Sequence, residues 1–534
     1  MAAQKNLQFP WPLAVFSALL AAVAMPTGQL GLLAFVAMVP MFYLYRLVSP
    51  AKALWLGLIQ GALSWALCIH WMPSALMHKL SADVSLVAIP YILYCLYAGL
   101  PYALHGYLHS KLKLSDGILK TLVSAASLAA LVTIQPLWME GNLAHALYQW
   151  PVLMQVADIG GVSFLLALIF AVNAMIAYLI YTQPGSQRRT AQLVLVTLVM
   201  FQVGYGYLRT GDILDQYTNT DKHINVALVQ PNMQGDKDVE DKAASRKAAF
   251  DELVRLTSIA VNADIKPDLI VWPELAKPFS AVDSTMGRNL IKSLNEITES
   301  TPLLVNSSYE YVKDIDYEGN TPYFNVSNLV TSSGIGETYR KQRLTPFGEH
   351  LPGSELWPEM RDNYPGFKRY VAGDETILFE VKGFKLLPLI CYEATFSDLV
   401  AKGVDQGADI LLNPSNDAWA RGPEGSEYAL ALALMQTVEY HRPMVRVSNS
   451  GASMVIDASG QILEESRIEN DAVGVRSVRL GMPETTSFFA LYRNDILIVE
   501  LILVGLALLV IWLHSHVTFR VRPTLIEKVS LQHL

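Results

Sequence analysis

The chain is poor in charge, in cysteine and in metal-ligand patterns. Asp, Glu, Lys and Arg make up 16% of its 534 residues, while 52% are hydrophobic and mean hydropathy is +0.29. An ordinary soluble domain is about a quarter charged, so a membrane protein is the first expectation. Three cysteines, Cys68, Cys95 and Cys391, are too few for a disulfide framework. The histidines show no metal-ligand spacing, and no metal or other cofactor is expected. A net charge of −8 gives no basis for a nucleic-acid partner.

The scarcity of charge is organised. No Asp, Glu, Lys or Arg occurs between Lys5 and Arg46, a run longer than the ~20 residues one bilayer-crossing helix needs. Pro26-Thr27-Gly28 breaks it, which predicts two short helices. Further apolar spans run over Ala53–Met72, Leu86–His109, Thr121–Leu137, Val162–Tyr181 and Ala191–Leu208. These precede a polar region of about 260 residues, enough for one domain, and Ile496–Leu513 follows it as an eighth span. Lys5, Arg46, Lys52, Lys111, Lys113, Lys120, Arg188, Arg189, Arg520, Arg522 and Lys528 all fall on one side of this arrangement; Lys79 opposes them. The excess of basic residues marks the cytoplasmic side, so the polar region lies outside, in the periplasm of a bacterium with two membranes. Ala22-Val23-Ala24 also fits a signal-peptidase site, and cleavage there leaves the polar domain outside all the same. The expected organisation is transmembrane helices over 1–215, a polar domain over 222–482, a last helix over 490–516 and a cytoplasmic tail over 517–534. Glu140–Asp158 is apolar but broken by Asn142, His145, Gln149 and Pro151; it reads equally as a re-entrant or interfacial loop under the polar domain or as an ordinary loop.

In the polar region short β-rich runs alternate with amphipathic stretches. Strands are expected at 224–230, 269–272, 302–307, 324–330, 384–390, 410–413, 444–448 and 453–456, and helices at 243–261, 288–299 and 428–440. Such alternation predicts an α/β domain. Two apolar runs end in reactive residues: Leu386–Ile390 runs into Cys391-Tyr392-Glu393, and Leu269-Ile270-Val271-Trp272-Pro273 into Glu274. A third stretch carries Tyr339-Arg340-Lys341 and then Pro346-Phe347-Gly348-Glu349. A cysteine nucleophile works as its thiolate and needs a base or a nearby cation, and Glu274 and Lys341 supply both types. Blander readings stand beside these. A cysteine at a strand end is most often a small buried hydrophobe. Glu274 after Trp-Pro fits a surface charge, and Lys341 between Arg340 and Arg343 fits a solvated basic face. Glu349 and Glu393 fit hydrogen-bonding braces, and Asn416, Asp417 and Trp419 a capped and packed loop. Asp158 and Glu500 fit span-end charges that reach the interface. Asn325-Val326-Ser327 matches a glycosylation sequon, which carries nothing in a bacterial chain.

With these motifs in order, the chain resembles the apolipoprotein N-acyltransferase family, the membrane-embedded branch of the nitrilase (carbon–nitrogen hydrolase) superfamily. The resemblance rests on the eight spans with the polar domain before the last, and on Gln155–Phe164 with Asn173 in the membrane part. In the polar part it rests on Val271–Glu274, Tyr339–Lys341, Pro346–Pro352, Ile390–Glu393, Ser415–Trp419, Arg442-Pro443, Arg446, Asn449 and Gly451. Ala420-Arg421 and Glu427-Tyr428 depart from the family pattern, as does the loop Pro231–Lys237, which lacks a tryptophan many members carry shortly downstream.

The resemblance implies an α-helical integral membrane domain of about eight transmembrane helices plus an α/β nitrilase-like αββα sandwich. It implies transfer of a fatty acyl chain from a membrane phospholipid to the α-amino group of a diacylated apolipoprotein, by a bacterial inner-membrane protein acting as a monomer. In that reaction Cys391 is the nucleophile, Glu274 the proton acceptor and Lys341 the oxyanion cation. Glu349 orients Lys341 or the amine, and Tyr392 and Glu393 shape the pocket. The loop Leu351–Pro358 with Trp357, and Phe279, are expected as a lid. The competing enzyme reading is a membrane-tethered amidase acting on a small amide with water as acceptor; seven spans exceed what an anchor needs. A transporter or receptor would predict functional charges within the spans, which are nearly free of them.

Overall fold

A computed structural model describes residues 9–25, 30–80, 83–233, 242–274, 292–298, 301–311, 323–354, 356–357, 370–420 and 422–529. The Pro26-Thr27-Gly28 break, most of the loop after Pro231, Phe279 and Arg421 lie outside the described residues.

The first part is helical: α1 (Trp11–Ala24), α2 (Val39–Tyr45), α3 (Pro50–Cys68), α4 (Met72–Leu80), α5 (Val84–Ala98), α6 (Leu100–Leu112), α7 (Ile118–Thr133), α8 (Pro151–Met154), α9 (Ala157–Tyr181) and α10 (Ser186–Asn219). Five helical stretches are long and apolar enough to cross a membrane: Pro50–Cys68, Val84–Leu112, Ala157–Tyr181, Ser186–Asn219 and Phe488–Leu513. Trp11–Ala24, Gly31–Tyr45 and Ile118–Thr133 are apolar but shorter. Each predicted span falls on one of these stretches. Without a hydrophobic drive inside a bilayer, helices associate where small residues let backbones approach. A Cβ on Gly57 of α3 would lie 2.2 Å from the Tyr102 carbonyl oxygen of α6, and one on Gly106 2.5 Å from that of Ala53.

The ambiguous Glu140–Asp158 segment packs against the α/β domain, as the reading of a loop under the polar domain expects. Leu143, Ala144, Leu147 and Met154 are buried in it. The Tyr428 hydroxyl donates to the Glu140 carbonyl at 2.6 Å, and the Gln155 amide to the Ser459 carbonyl at 2.7 Å. The segment is therefore docked beneath the α/β domain. Asp158 corrects the expectation of an interface-seeking charge. It is 2% exposed and accepts from Tyr205 at 2.7 Å and Arg209 Nε at 2.8 Å, with His441 Nε2 at 3.2 Å. Glu500 is half-buried and accepts from Ser163 at 2.7 Å. Buried charges of this kind persist when paired and hydrogen-bonded.

The α/β domain runs β1 (His223–Gln230), α11 (Lys242–Val261), β2 (Leu269–Val271), α12 (292–297), β3 (Leu303–Tyr311), β4 (Tyr323–Thr331), β5 (Gly334–Arg340), β6 (Phe379–Val381), β7 (Phe384–Pro388), α13 (Ser397–Asp405), β8 (Ile410–Ser415), α14 (Pro423–Tyr440), β9 (Met444–Ser448), β10 (Met454–Ile456) and β11 (Gly474–Gly481); the apolar helix α15 (Phe488–Val529) follows it. One sheet has the order β11-β1-β2-β3-β4-β5, the other β10-β9-β8-β7-β6. Side chains alternate along a strand, so each sheet has two faces. Ile224, Val226 and Leu228 of β1 turn inward to meet Leu386, Leu412 and Val445 of the second sheet. Ala227 and Val229 turn outward onto Leu253, Leu256 and Ala260 of α11. The outer face of the second sheet, with Leu387, Leu411 and Met444, packs on α14, and the same core continues into α1, α3 and α9. Helix α14 is thus buried on both sides, between sheet and membrane helices. The layering is the nitrilase-like αββα sandwich.

Candidate active site

In each sheet the central strands are parallel: β1, β2 and β3 in one, β7, β8 and β9 in the other. Side chains just beyond the carboxyl ends of parallel strands face the crevice where such folds bind ligands. Glu274 follows β2 and Cys391 follows β7. The Cys391 backbone has φ +55°, in the left-handed region, and opens a short 3-10 turn to Thr395. A non-glycine residue there costs ~1–3 kcal/mol and persists where its surroundings over-determine it. The turn sets the thiol off the strand instead of ending it.

Lys341 stands one residue past β5, with its N–H bonded to the Asn325 carbonyl at 2.8 Å. It is 1% exposed, which removes the solvated-face reading. Its ammonium lies 2.7 Å from Glu349 Oε2 and 3.6 Å from Glu274 Oε1, and reaches Thr345 Oγ1 at 3.3 Å. Burial alone would lower its pKa, but Glu349 and then Glu274 outweigh that and hold it raised. Burial would raise Glu349, and the Lys341 charge with donors from Thr345 and Asn325 holds it below the usual range. For Cys391 burial wins: together with the Glu274 carboxylate it pushes the thiol up to about 12, with Lys341 pulling the other way. The resting group is a thiol.

Glu393 takes a different place. Its carboxylate accepts from Tyr339 OH at 2.9 Å, the Gln342 and Arg343 N–H groups at 2.6 and 3.0 Å, and the Ile390 N–H at 2.7 Å. It ties the Lys341 loop to the Cys391 turn. Asn325 bonds both carboxylates beside Lys341, donating through Nδ2 to Glu274 and to Glu349 at 2.7 Å each. On the far side of the sulfur, Ser415 Oγ lies 3.5 Å from Cys391 Sγ and donates to Asp417 at 2.9 Å. Asp417 is paired with Arg446 at 2.8 Å.

Known proteins match both parts of this architecture. A carbon–nitrogen hydrolase family model matches residues 225–486, and an apolipoprotein N-acyltransferase N-terminal domain model matches residues 17–175. The apolipoprotein N-acyltransferase of Brucella melitensis is 31% identical over 439 residues, 78% of this chain and 77% of that protein. The chain belongs to the apolipoprotein N-acyltransferase family. The enzyme of that name from Allorhizobium ampelinum is 28% identical over 465 residues, 81% of each chain. Among solved structures, an amidase of the nitrilase superfamily from Nesterenkonia AN1 is similar at 17% identity and a TM-score of 0.36, covering 52% of this chain and 98% of its own.

In this member of the apolipoprotein N-acyltransferase family, the membrane helices and the α/β domain line a partly open, apolar chamber beside the Cys391–Thr395 turn. Helices α4 and α5 supply Met72, Leu76 and Tyr94, and α14 supplies Ala429 and Leu432; Tyr392 and Thr345 stand at the catalytic side. The walls are locked across the two parts: Trp138 stacks on Tyr94 and meets Phe347 edge-on, with ring centroids 6.2 Å apart in each pair. Trp71 packs on Trp419 at 5.6 Å. Tyr392 is among the residues that line the chamber. Leu356 and Trp357 stand 75% and 62% exposed, outside the chamber wall.

Asn325, Ser415 and Arg446 were not expected as site residues. The signal for Asn325 was present as an inward polar position: Asn325 and Ser327 alternate on β4 and are buried. It was set aside as a sequon. Ser415 and Arg446 stand within the motifs that carry the family resemblance, but with no role assigned to them.

Proposed function

We propose that the protein, an acyltransferase, moves a fatty acyl chain from a membrane phospholipid to the α-amino group of the N-terminal S-diacylglyceryl-cysteine of an apolipoprotein, through a thioester on Cys391. The chamber carries the reading. It is walled by apolar helices and opens beside Tyr392, so an acyl chain, which costs ~0.8 kcal/mol per CH₂ to expose to water, stays covered while its carbonyl meets the sulfur. A small soluble amide has no use for such a chamber.

Glu274 takes the Cys391 proton as sulfur attacks the ester carbonyl, and returns it to the oxygen of the departing lysophospholipid. The acceptor amine then attacks the thioester carbon, the carbon–sulfur bond breaks, and Glu274 carries the amine proton back to the thiolate. Atoms balance without ATP or a cofactor. Because the resting group is a thiol, the base has to act in the same step as the attack. Lys341 holds its charge throughout, pinned by Glu349, and stabilises the oxyanion with the Tyr392 N–H. Glu393 keeps Lys341 and Cys391 in register.

We further infer eight crossings, the three shorter helices completing the five long ones, with basic loops in the cytoplasm and the α/β domain of 222–482 in the periplasm of a bacterial inner membrane. The division into residues 1–215, 222–482, 490–516 and 517–534 follows from that topology. The protein works as a monomer, since one chain supplies every catalytic group. The test is product formation. Enzyme in phospholipid nanodiscs, given a synthetic diacylated lipopeptide, converts it to the N-acylated form by mass spectrometry. Release of free fatty acid with no lipopeptide product would replace this reading with a hydrolase.

A further inference from the structure

The outward face of the second sheet changes character along its strands. It begins with Leu411 on β8 and Met444 on β9, both apolar. The same face then carries Asn413 and Ser415 on β8, and Arg446 and Ser448 on β9. The strands run in register, Asn413 beside Arg446 and Ser415 beside Ser448. All four side chains are at most 1% exposed. Buried polar groups cost stability unless they bond to one another, and here the bonds converge on Cys391.

Arg446 is the root of two arms. Its Nη1 donates to Asn413 Oδ1, which sets the Asn413 amide so that Nδ2 donates to the Cys391 carbonyl at 3.0 Å. Its Nη2 donates to Asp417 Oδ2 at 2.8 Å, where Ser426 and Ser448 also donate, at 2.9 and 3.0 Å. The other oxygen, Asp417 Oδ1, accepts from Ser415 at 2.9 Å. Ser415 Oγ in turn lies 3.5 Å from Cys391 Sγ. The first arm holds the backbone of the nucleophile, and the second ends on its sulfur.

A hydroxyl has one hydrogen, and Ser415 has two places to put it. A neutral sulfur is a weak acceptor, so in the thiol and in a thioester the hydrogen goes to the carboxylate. A sulfur that takes up negative charge competes for it. Burial and the Glu274 and Asp417 carboxylates raise the Cys391 thiol, against Lys341 and the Asn416 N–H. A thiolate formed among these groups needs a further donor. Turning Ser415 toward it leaves Asp417 paired with Arg446.

We propose that Ser415 is a catalytic residue of acyl transfer, its hydroxyl turning from Asp417 to Cys391 Sγ as the sulfur takes up negative charge. The proposal rests on the acyl-transfer reading and adds a donor for the leaving thiolate. When the acceptor amine attacks the thioester carbon, the carbon–sulfur bond breaks and its electron pair goes to sulfur. Ser415 donates to that sulfur until Glu274 returns the amine proton to it. Ser415 keeps its own hydrogen throughout, so the proton balance is unchanged.

The test reads the sulfur first without a lipid substrate. Iodoacetamide alkylates the thiolate, and the mass of the Cys391 peptide follows the reaction. Ser415→Ala is alkylated about three- to tenfold more slowly than wild type from pH 7 to pH 10, the loss of one donor to a charged acceptor offset in part by a stronger nucleophile. Ser426→Ala removes a hydroxyl from the same carboxylate without touching the sulfur, and slows alkylation less. In nanodiscs charged from phospholipid, discharge of the acyl-enzyme by a diacylated lipopeptide slows about tenfold or more in Ser415→Ala. Wild-type alkylation in Ser415→Ala, or equal slowing in Ser426→Ala, overturns the role of Ser415. Failure of the wild type to form any thioester overturns the acyl-transfer reading and the part of Ser415 in discharge, while alkylation still decides whether Ser415 donates to the sulfur.

Discussion

The Lys341 ammonium lies 2.7 Å from Glu349, nearer than the 3.6 Å that separates it from Glu274. The difference divides the labour between two carboxylates around one cation. Glu349 forms the tight ion pair that holds Lys341 charged. Glu274 stands farther off, and in the proposed mechanism it is the one that exchanges a proton with the thiol.

Replacing Lys341 with Met removes the oxyanion cation and leaves Glu349 and Glu274 facing each other unpaired. Transfer activity is expected to fall ~10²–10³-fold or more. Glu349→Gln should lose less, about tenfold, because Lys341 can then close on Glu274. Initial rates of lipopeptide acylation check both. A Glu349→Gln loss equal to that of Lys341→Met would contradict the division.

Asn325 is the hinge between the carboxylates, donating to both at 2.7 Å. Asn325→Ala leaves them without a shared donor, a cost of ~1–3 kcal/mol, or about one to two orders of magnitude in rate if the cost falls on the transition state. Asn325→Asp adds a third carboxylate beside the pair and is expected to be worse than Ala. If both variants acylate at wild-type rates, Asn325 is only a packing residue.

The thiol at about 12 gives a pH signature. Below that value the thiolate fraction rises tenfold per pH unit, so alkylation of Cys391 by iodoacetamide should climb from pH 7 to pH 10 without a plateau. Lys341 opposes the upward shift, so Lys341→Met should slow alkylation at every pH in that range. Levelling off below pH 9 would show a pre-formed thiolate.

Ala429 projects from α14 into the chamber wall. Ala429→Trp fills space meant for an acyl chain. Charging of Cys391 should drop at least tenfold with long-chain phospholipids and much less with a short-chain ester. An equal loss with both donors would mean the acyl chain lies elsewhere.

The spans were legible because charge is excluded from them over lengths that only a bilayer requires. Five satisfy that length outright. Strands on the buried faces were legible from apolar runs: β1, β8 and β9 lie within two residues of their expected bounds. The strands without such a run were not. β5 carries Gly334, Gly336 and Glu337 at the sheet edge, β6 is three residues long, and β11 alternates arginines with apolar residues. The reactive side chains showed as odd residues at the ends of apolar runs. Glu393 was legible as a brace, but its partners on two loops and the contact of Ser415 with the sulfur are tertiary, and no spacing announces them. Asp158 misled for the same reason: its partner Arg209 is on another helix and His441 is far along the chain.

The central claim is a covalent acyl-enzyme on Cys391. The direct test is the intact mass of the purified protein after mixing with phospholipid vesicles, for wild type and Cys391→Ala. The account predicts a gain of one fatty acyl group in the wild type alone, removed by hydroxylamine and discharged by a diacylated lipopeptide. No mass gain in the wild type, or the same gain in Cys391→Ala, would contradict it.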